Sequence, residues 1–204
     1  MSLEYRLDGR SLKTYTKHIL IRTRRENLWA EILKVNLEEK GYKVQVKNNG
    51  VDGSGAVVKK SSKDLSKVDK IYTINGKKIP IEIKTCDQGE DFDTLDFITI
   101  KVTSLRAAIE QNALMVICDR KWRMVLRPQC MERLLKDFTP KICHKFAGNA
   151  LCIMVKKSQF KKYILEKEEN FEDVKKIQLC RWTDKAKKII ASNQEKLFKK
   201  KHWL

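Results

Sequence analysis

KVDKIYTINGKKIPIEIKT, residues 67–85, is the stretch from which the fold can be read. At its centre stands Asn75-Gly76. A two-residue type I′ turn needs φ > 0 at both central positions, and Asn-Gly tolerates this best. With that turn, Ile74 faces Lys77 and opposed residues carry numbers that sum to 151. Asp69 then stands opposite Glu82. Directly opposed residues on antiparallel strands have Cβ atoms about 5 Å apart on one face. Lys84 shares that face, because strand side chains alternate. Ile79, Ile81 and Ile83 point the other way, toward a core. Two carboxylates this close repel unless a cation lies between them. The economical arrangement is a divalent ion held by Asp69 and Glu82, with Lys84 beside it. The alternative is a salt-bridged face on which Asp69 and Glu82 pair with Lys67 and Lys84.

Val68-Asp69, a hairpin, then Ile81-Glu82-Ile83-Lys84-Thr85 resembles the PD-(D/E)xK nuclease superfamily, most closely the branch that includes Holliday-junction resolvases. The resemblance covers Thr23 to Cys118. Val68 stands where the family name has proline, as in many members. An ExK tripeptide alone is a weak signal in a lysine-rich chain. ExK on an isoleucine strand, with an aspartate set opposite by its own turn, is much stronger. The resemblance implies an α/β fold with a restriction-endonuclease-like mixed sheet flanked by helices. It also implies an endonuclease that hydrolyses DNA phosphodiester bonds with Mg2+ or Mn2+. In this superfamily the helix before the first strand often supplies a glutamate, about three turns before its terminal glycine. Glu31 matches that position and Glu26 is too early. The implied metal ligands are Glu31, Asp69, Glu82 and the backbone carbonyl of Ile83. Lys84 would orient the attacking water and balance charge at the phosphate. Hard oxygen ligands favour Mg2+ or Mn2+ over zinc.

Upstream, Thr23-Arg24-Arg25-Glu26 has the form of a capping box, which predicts a helix start there. Leu28, Trp29, Ile32, Leu33, Val35 and Leu37 give that helix an apolar face, and Gly41 should end it. Glu31 lies on the flank of this face. Tyr42 to Lys47 alternates as a strand. Residues 48–66 read as a long loop whose Lys59, Lys60 and Lys63 suit a nucleic-acid backbone, with Asp52 a reserve site residue. The glycines lack the P-loop pattern.

Downstream, the acidic run at 87–96 reads as a solvated loop without EF-hand spacing. Phe97–Val102 should be a strand, and Thr103 or Ser104 should cap a helix reaching Asn112. Ala113–Cys118 should be a buried strand, which makes this segment a crossover over one sheet face. Trp122–Leu126 reads as a further, edge strand. Pro128 should open a helix. Beyond Phe138 a strand at Leu151–Val155, a basic helix at Ser158–Lys167 and a final helix capped by Thr183 are expected. The expected organisation is an arm over 1–22, a nuclease core over 23–137 and a basic strand-helix extension over 138–204.

Composition sets the wider bounds. The 204 residues are enough for one core, and the 42% hydrophobic content is that of a globular chain. A net charge of +18 favours a polyanionic partner. DNA is the expected partner, with RNA not excluded because nothing here reads a base or a 2′-hydroxyl. No apolar run reaches the roughly 20 residues of a membrane helix, and no apolar leader is visible, so no membrane partner is expected. The expected setting is a soluble intracellular one, cytoplasmic or nucleoid-associated. Six cysteines without a CxxC pair read as reduced core thiols, and Cys130, Cys143, His144 and Cys152 fit no zinc spacing. A two-fold homodimer would suit cleavage of both strands. The rival readings are a nuclease fold that binds nucleic acid without cutting it, and an RNA-cutting enzyme. Restriction, junction resolution, repair and mobile-element cutting all use such a site.

Overall fold

The computed structural model describes residues 12–48, 70–85, 92, 95–143, 150–165 and 173–198. These form a mixed α/β fold. The elements are α1 (Leu12–Glu39), β1 (Val44–Asn48), β2 (Lys70–Ile74), β3 (Lys77–Thr85), β4 (Phe97–Lys101), α2 (Val102–Glu110), β5 (Leu114–Cys118), β6 (Trp122–Leu126), α3 (Pro128–Asp137), β7 (Lys141–Cys143), β8 (Ala150–Lys156), α4 (Lys157–Phe160), β9 (Gln178–Arg181), α5 (Asp184–Ser192) and α6 (Gln194–Phe198). A six-stranded sheet has the order β1-β2-β3-β5-β6-β9, and a three-stranded sheet the order β4-β8-β7.

The β2–β3 hairpin forms as its turn residues dictate. Asn75 and Gly76 take φ of 49° and 84°. The register runs from Ile74 opposite Lys77 to Lys70 opposite Ile81, the spacing the sequence predicts. The Asn75 side chain also accepts a hydrogen bond from the Lys43 N–H at 2.9 Å, which ties the turn to the start of β1. On its other edge β3 pairs in parallel with β5, so β4 and α2 lie on a crossover. β4 itself belongs to the second sheet, where it pairs with β8.

Both faces of the large sheet are buried along β5. Ile81 and Ile83 of β3, Val116 and Cys118 of β5 and Tyr72 of β2 pack under α1, α5 and α6. There Trp29 stacks on Trp182 with ring centroids 5.7 Å apart, and Phe198 meets Trp29 edge-on at 5.6 Å. Met115, Ile117, Met124 and Leu126 face the opposite side, against α2, α3, Phe92, Phe160 and the inner face of the second sheet. A strand covered on both sides cannot alternate, which is why β5 reads as the unbroken apolar run LMVIC.

Several boundaries differ from expectation. α1 starts at Leu12, so Thr23 and Glu26 lie within it and not at a helix start. No proline or glycine breaks the chain between Leu12 and Thr23, so the helix runs on through the T-x-x-E stretch. The helix does end where predicted: Gly41 takes φ of 88° and the Tyr42 N–H reaches the Leu37 carbonyl at 3.2 Å. α2 begins at Val102 with Lys101 at the N-cap position and no side-chain cap, so its cap lies two residues before Thr103 and three before Ser104. Pro128 opens α3 as expected. Thr183 occupies the N-cap position of α5 without a side-chain cap bond. Its backbone N–H donates to Asn36 Oδ1 instead. The expected basic helix shrinks to α4 and a 3-10 turn at Lys161–Tyr163, after which Ile164 bridges to Ile177. The final helix breaks at Asn193.

The last third of the chain is woven into the fold. β9 pairs with β6 and makes β6 an interior strand rather than an edge. No helix among the described residues is long and apolar enough to cross a membrane. Five described cysteines, Cys118, Cys130, Cys143, Cys152 and Cys180, are buried and form no disulfide among themselves, and Cys86 lies outside the described residues.

Candidate functional site

Glu82 and Lys84 project from the same side of β3, two residues apart on a strand, and their charged ends form an ion pair. The two side chains are 11% and 25% exposed. Their β5 partners in register are Met115 and Ile117, both buried and apolar. A carboxylate in such surroundings needs a cation nearby, because desolvation penalises the bare charge. The Lys84 ammonium fills that need. Ile81 and Ile83 anchor the strand from the opposite face, at 2% and 0% exposure, so the pair is mounted on a rigid element.

Ile83 sends its side chain toward α1, and what it can offer an ion is its backbone carbonyl. Asp69, expected opposite Glu82, lies outside the described residues, as do Lys67, Asp52, the lysines of the 48–66 loop and most of the acidic run. Among the described residues no three His, Cys, Asp or Glu side chains converge as a metal cluster.

Glu31 is exposed on α1, between buried Ala30 and Ile32. α1 covers the Ile81–Ile83 face, whereas Glu82 and Lys84 project from the other. Glu31 stands near the start of β2: the Tyr72 hydroxyl donates to the Ala30 carbonyl at 2.8 Å. The Tyr72 hydroxyl is held well above its ordinary pKa, chiefly by burial and then by the negative potential of Cys118 and Glu31. Glu26 lies further back on α1, where its charge offsets the lowering that burial imposes on the Arg25 guanidinium.

Lys70 was not singled out by the sequence reading. It is 2% exposed, faces α1 beside Ile81, and its ammonium donates to Asn27 Oδ1 at 2.5 Å. Asn27 and Glu31 are one turn apart on α1, so Lys70 and Glu31 occupy the same corner of the fold. The hairpin register contained this information, since the residue opposite core-facing Ile81 must itself face the core.

At the end of the sheet where β3 and β5 finish, Asp119 organises the β5–β6 turn. Its Oδ1 accepts from the Lys121 and Trp122 N–H groups, and its Oδ2 accepts from the Phe92 N–H at 2.8 Å. The Asp119 carbonyl accepts from Trp182 Nε1 at 2.9 Å. Beside it the buried Arg123 guanidinium donates to Asn36 Oδ1 at 3.2 Å and to the Arg181 carbonyl at 2.7 Å. These groups fix the turn and join the last third of the chain to α1. Comparison of the chain with family models, with curated proteins and with solved structures finds no match in any of the three.

Proposed function

We propose that the protein is a Mg2+- or Mn2+-dependent endonuclease of restriction-endonuclease-like fold that hydrolyses DNA phosphodiester bonds. The observation that carries this reading is the Glu82–Lys84 pair, largely shielded from water on a strand whose register follows from its Asn75-Gly76 turn. The donors fit a hard divalent ion: a largely desolvated carboxylate at Glu82 and the Ile83 carbonyl, completed in this reading by Asp69, whereas Glu31 stands on the helix that covers the other face. A bound ion would supply charge stabilisation to the phosphoryl oxygens. Lys84, tethered by Glu82, would hold the attacking water and offset phosphate charge. Met115 and Ile117 would keep that side of the site poor in water, so each charge acts in a lower dielectric.

The test is incubation of purified protein with plasmid, linear and branched DNA, and with RNA, in Mn2+ or in EDTA. Mn2+-dependent cutting that falls at least a hundredfold in Lys84→Ala and Asp69→Asn is expected. Equal activity of those variants and wild type, or no cleavage of any substrate, would leave Glu82 and Lys84 as a structural ion pair.

A further inference from the structure

Resting on the nuclease reading, we infer that the open face of β1, β2 and the first half of β3, carrying Lys47, Thr73 and Lys78, is a track for the DNA backbone that leads to the Glu82–Lys84 pair. Alternation puts Lys78, Pro80, Glu82 and Lys84 on one face of β3. Lys78 opposes Thr73 on β2, and Pro80 opposes Ile71. Thr73 in turn opposes Gln45 on β1, and Ile71 opposes Lys47. Directly opposed residues share a face, so all of these stand on the side of the sheet that carries the pair. Cover on that side begins only at β5. Among the described residues, the core there takes Met115 and Ile117 from β5 but nothing from β1, β2 or β3. β5 pairs with β3 from Ile81 to Thr85, so Lys78 and Pro80 lie beyond its end. Gln45, Lys47 and Lys78 are exposed, and Ile71, Thr73 and Pro80 are partly exposed. From the other face, Val44, Tyr72 and Ile81 are buried under α1, which gives the track a rigid support.

The chemistry of this face selects the occupant. Among the described residues, Glu82 is the one carboxylate on it, and Lys84 offsets that charge. Lys47 and Lys78 leave the face positive, so a polyanion complements it. A second copy laid face to face would set these lysines against their own kind. No aromatic ring stands on this part of the sheet on which a base could stack. What it offers is two ammonium groups, the Thr73 hydroxyl and the Gln45 amide, which are donors for phosphate oxygens. Lys78 lies roughly 20 Å from Lys84 along β3, at about 3.4 Å per residue. Lys47, four residues back along the strands and two strands across, lies roughly 17 Å away. At about 3.4 Å of axis per phosphate on one strand, these spans are about five to six phosphates. A backbone with one phosphate at Lys84 thus meets both lysines on its way out across uncovered sheet.

The experiment is a salt titration of duplex-DNA affinity in EDTA, where cleavage plays no part. The double variant Lys47→Gln/Lys78→Gln is compared with Lys185→Gln/Lys188→Gln. The latter removes the same charge from exposed positions of α5, which packs on the opposite face. Loss of two phosphate contacts should weaken binding and flatten the log–log salt slope by about 1.8, while the α5 variant keeps the wild-type slope. Thr73→Glu sets a carboxylate opposite Lys78 and diagonal to Lys47, and should weaken binding more at low salt than at high salt. Should the double variant melt early, Lys47→Gln alone should flatten the slope by about 0.9. An unchanged slope, or equal flattening in both double variants, overturns the track. So does a shift in oligomeric state by sedimentation with the slope unchanged, which would assign the face to a second copy. A protein that shows the expected slopes but never cuts DNA keeps this track and loses the nuclease reading. One that cuts with Mn2+ while the Lys47/Lys78 variant keeps the wild-type slope keeps the nuclease reading and loses the track.

Discussion

Replacing Lys84 with methionine tests whether the pair on β3 is a metal site or a structural bridge. Methionine keeps the length and apolar stem of lysine and removes the ammonium beside Glu82. A solvent-exposed pair contributes roughly 0–1 kcal/mol, and breaking a fully buried one costs about 3–5 kcal/mol. The Glu82 and Lys84 side chains, 11% and 25% exposed, lie between these limits. Lys84→Met should therefore destabilise the metal-free protein by about 2 kcal/mol. For a chain of 204 residues this lowers Tm by roughly 4–8 °C. Thermal melts in EDTA measure the loss. Mn2+ at about a hundred times its dissociation constant should stabilise wild type by about 2.7 kcal/mol. In Lys84→Met the increment should be no smaller, because the ion supplies the positive charge that was removed. In Glu82→Gln it should vanish. If Lys84→Met melts within about 1 °C of wild type, the exposure argument is wrong. If Mn2+ raises the Tm of Glu82→Gln as much as that of wild type, Glu82 does not hold the ion.

Trp29→Ala removes the ring that meets Trp182 and Phe198 and the indole N–H that donates to Thr85 Oγ1 at 3.1 Å; it should cost about 4–6 kcal/mol, measured by urea unfolding followed by circular dichroism. Trp29→Phe should lose less than half of this free energy, and a loss equal to that of Trp29→Ala would contradict the packing account. Burial pushes the Cys130 thiol up to about 12, with Arg133 pulling it partly back. The folded state therefore disfavours the thiolate: this stability is complete below the unfolded thiol value near 9 and is lost as pH rises from there toward 12. Urea midpoints at pH 8 and pH 10.5 should fall more for wild type than for Cys130→Ala, and parallel falls would show that Cys130 contributes nothing to the alkaline loss.

What could be read from the sequence was what short-range chemistry decides. Asn75-Gly76 fixed its own turn through two positive φ angles, and the turn fixed the register from Ile74 to Lys70. Gly41 ended α1, Pro128 opened α3, and the apolar run of β5 announced a strand covered on both faces. Of the candidate site, the shared face of Glu82 and Lys84 followed from alternation alone. What was not legible depends on partners distant in the chain. QLCR at β9 has no pattern that marks it as a neighbour of β6, because its place is set by Trp182 meeting Trp29. β4 reads as an ordinary strand, and only its pairing with β8 shows that it belongs to another sheet. A cap at Thr103 or Ser104 was a local guess that lost to the burial of Val102, which starts α2 two residues before a Thr103 cap would. Glu31 shows the limit of position along a helix, because a count from Gly41 does not state which sheet face the helix covers.

The pairing of β9 with β6 has a consequence for synthesis. Until residue 181 has left the ribosome, β6 carries a row of unpaired backbone groups along one side, and Trp29 lacks its stacking partner. The closure entropy for joining segments so far apart is due before any of their contacts form. The large sheet is thus completed late, by the strand of that sheet translated after all the others. In the interval the nascent chain presents an adhesive strand edge that a neighbouring copy or a holding chaperone can occupy.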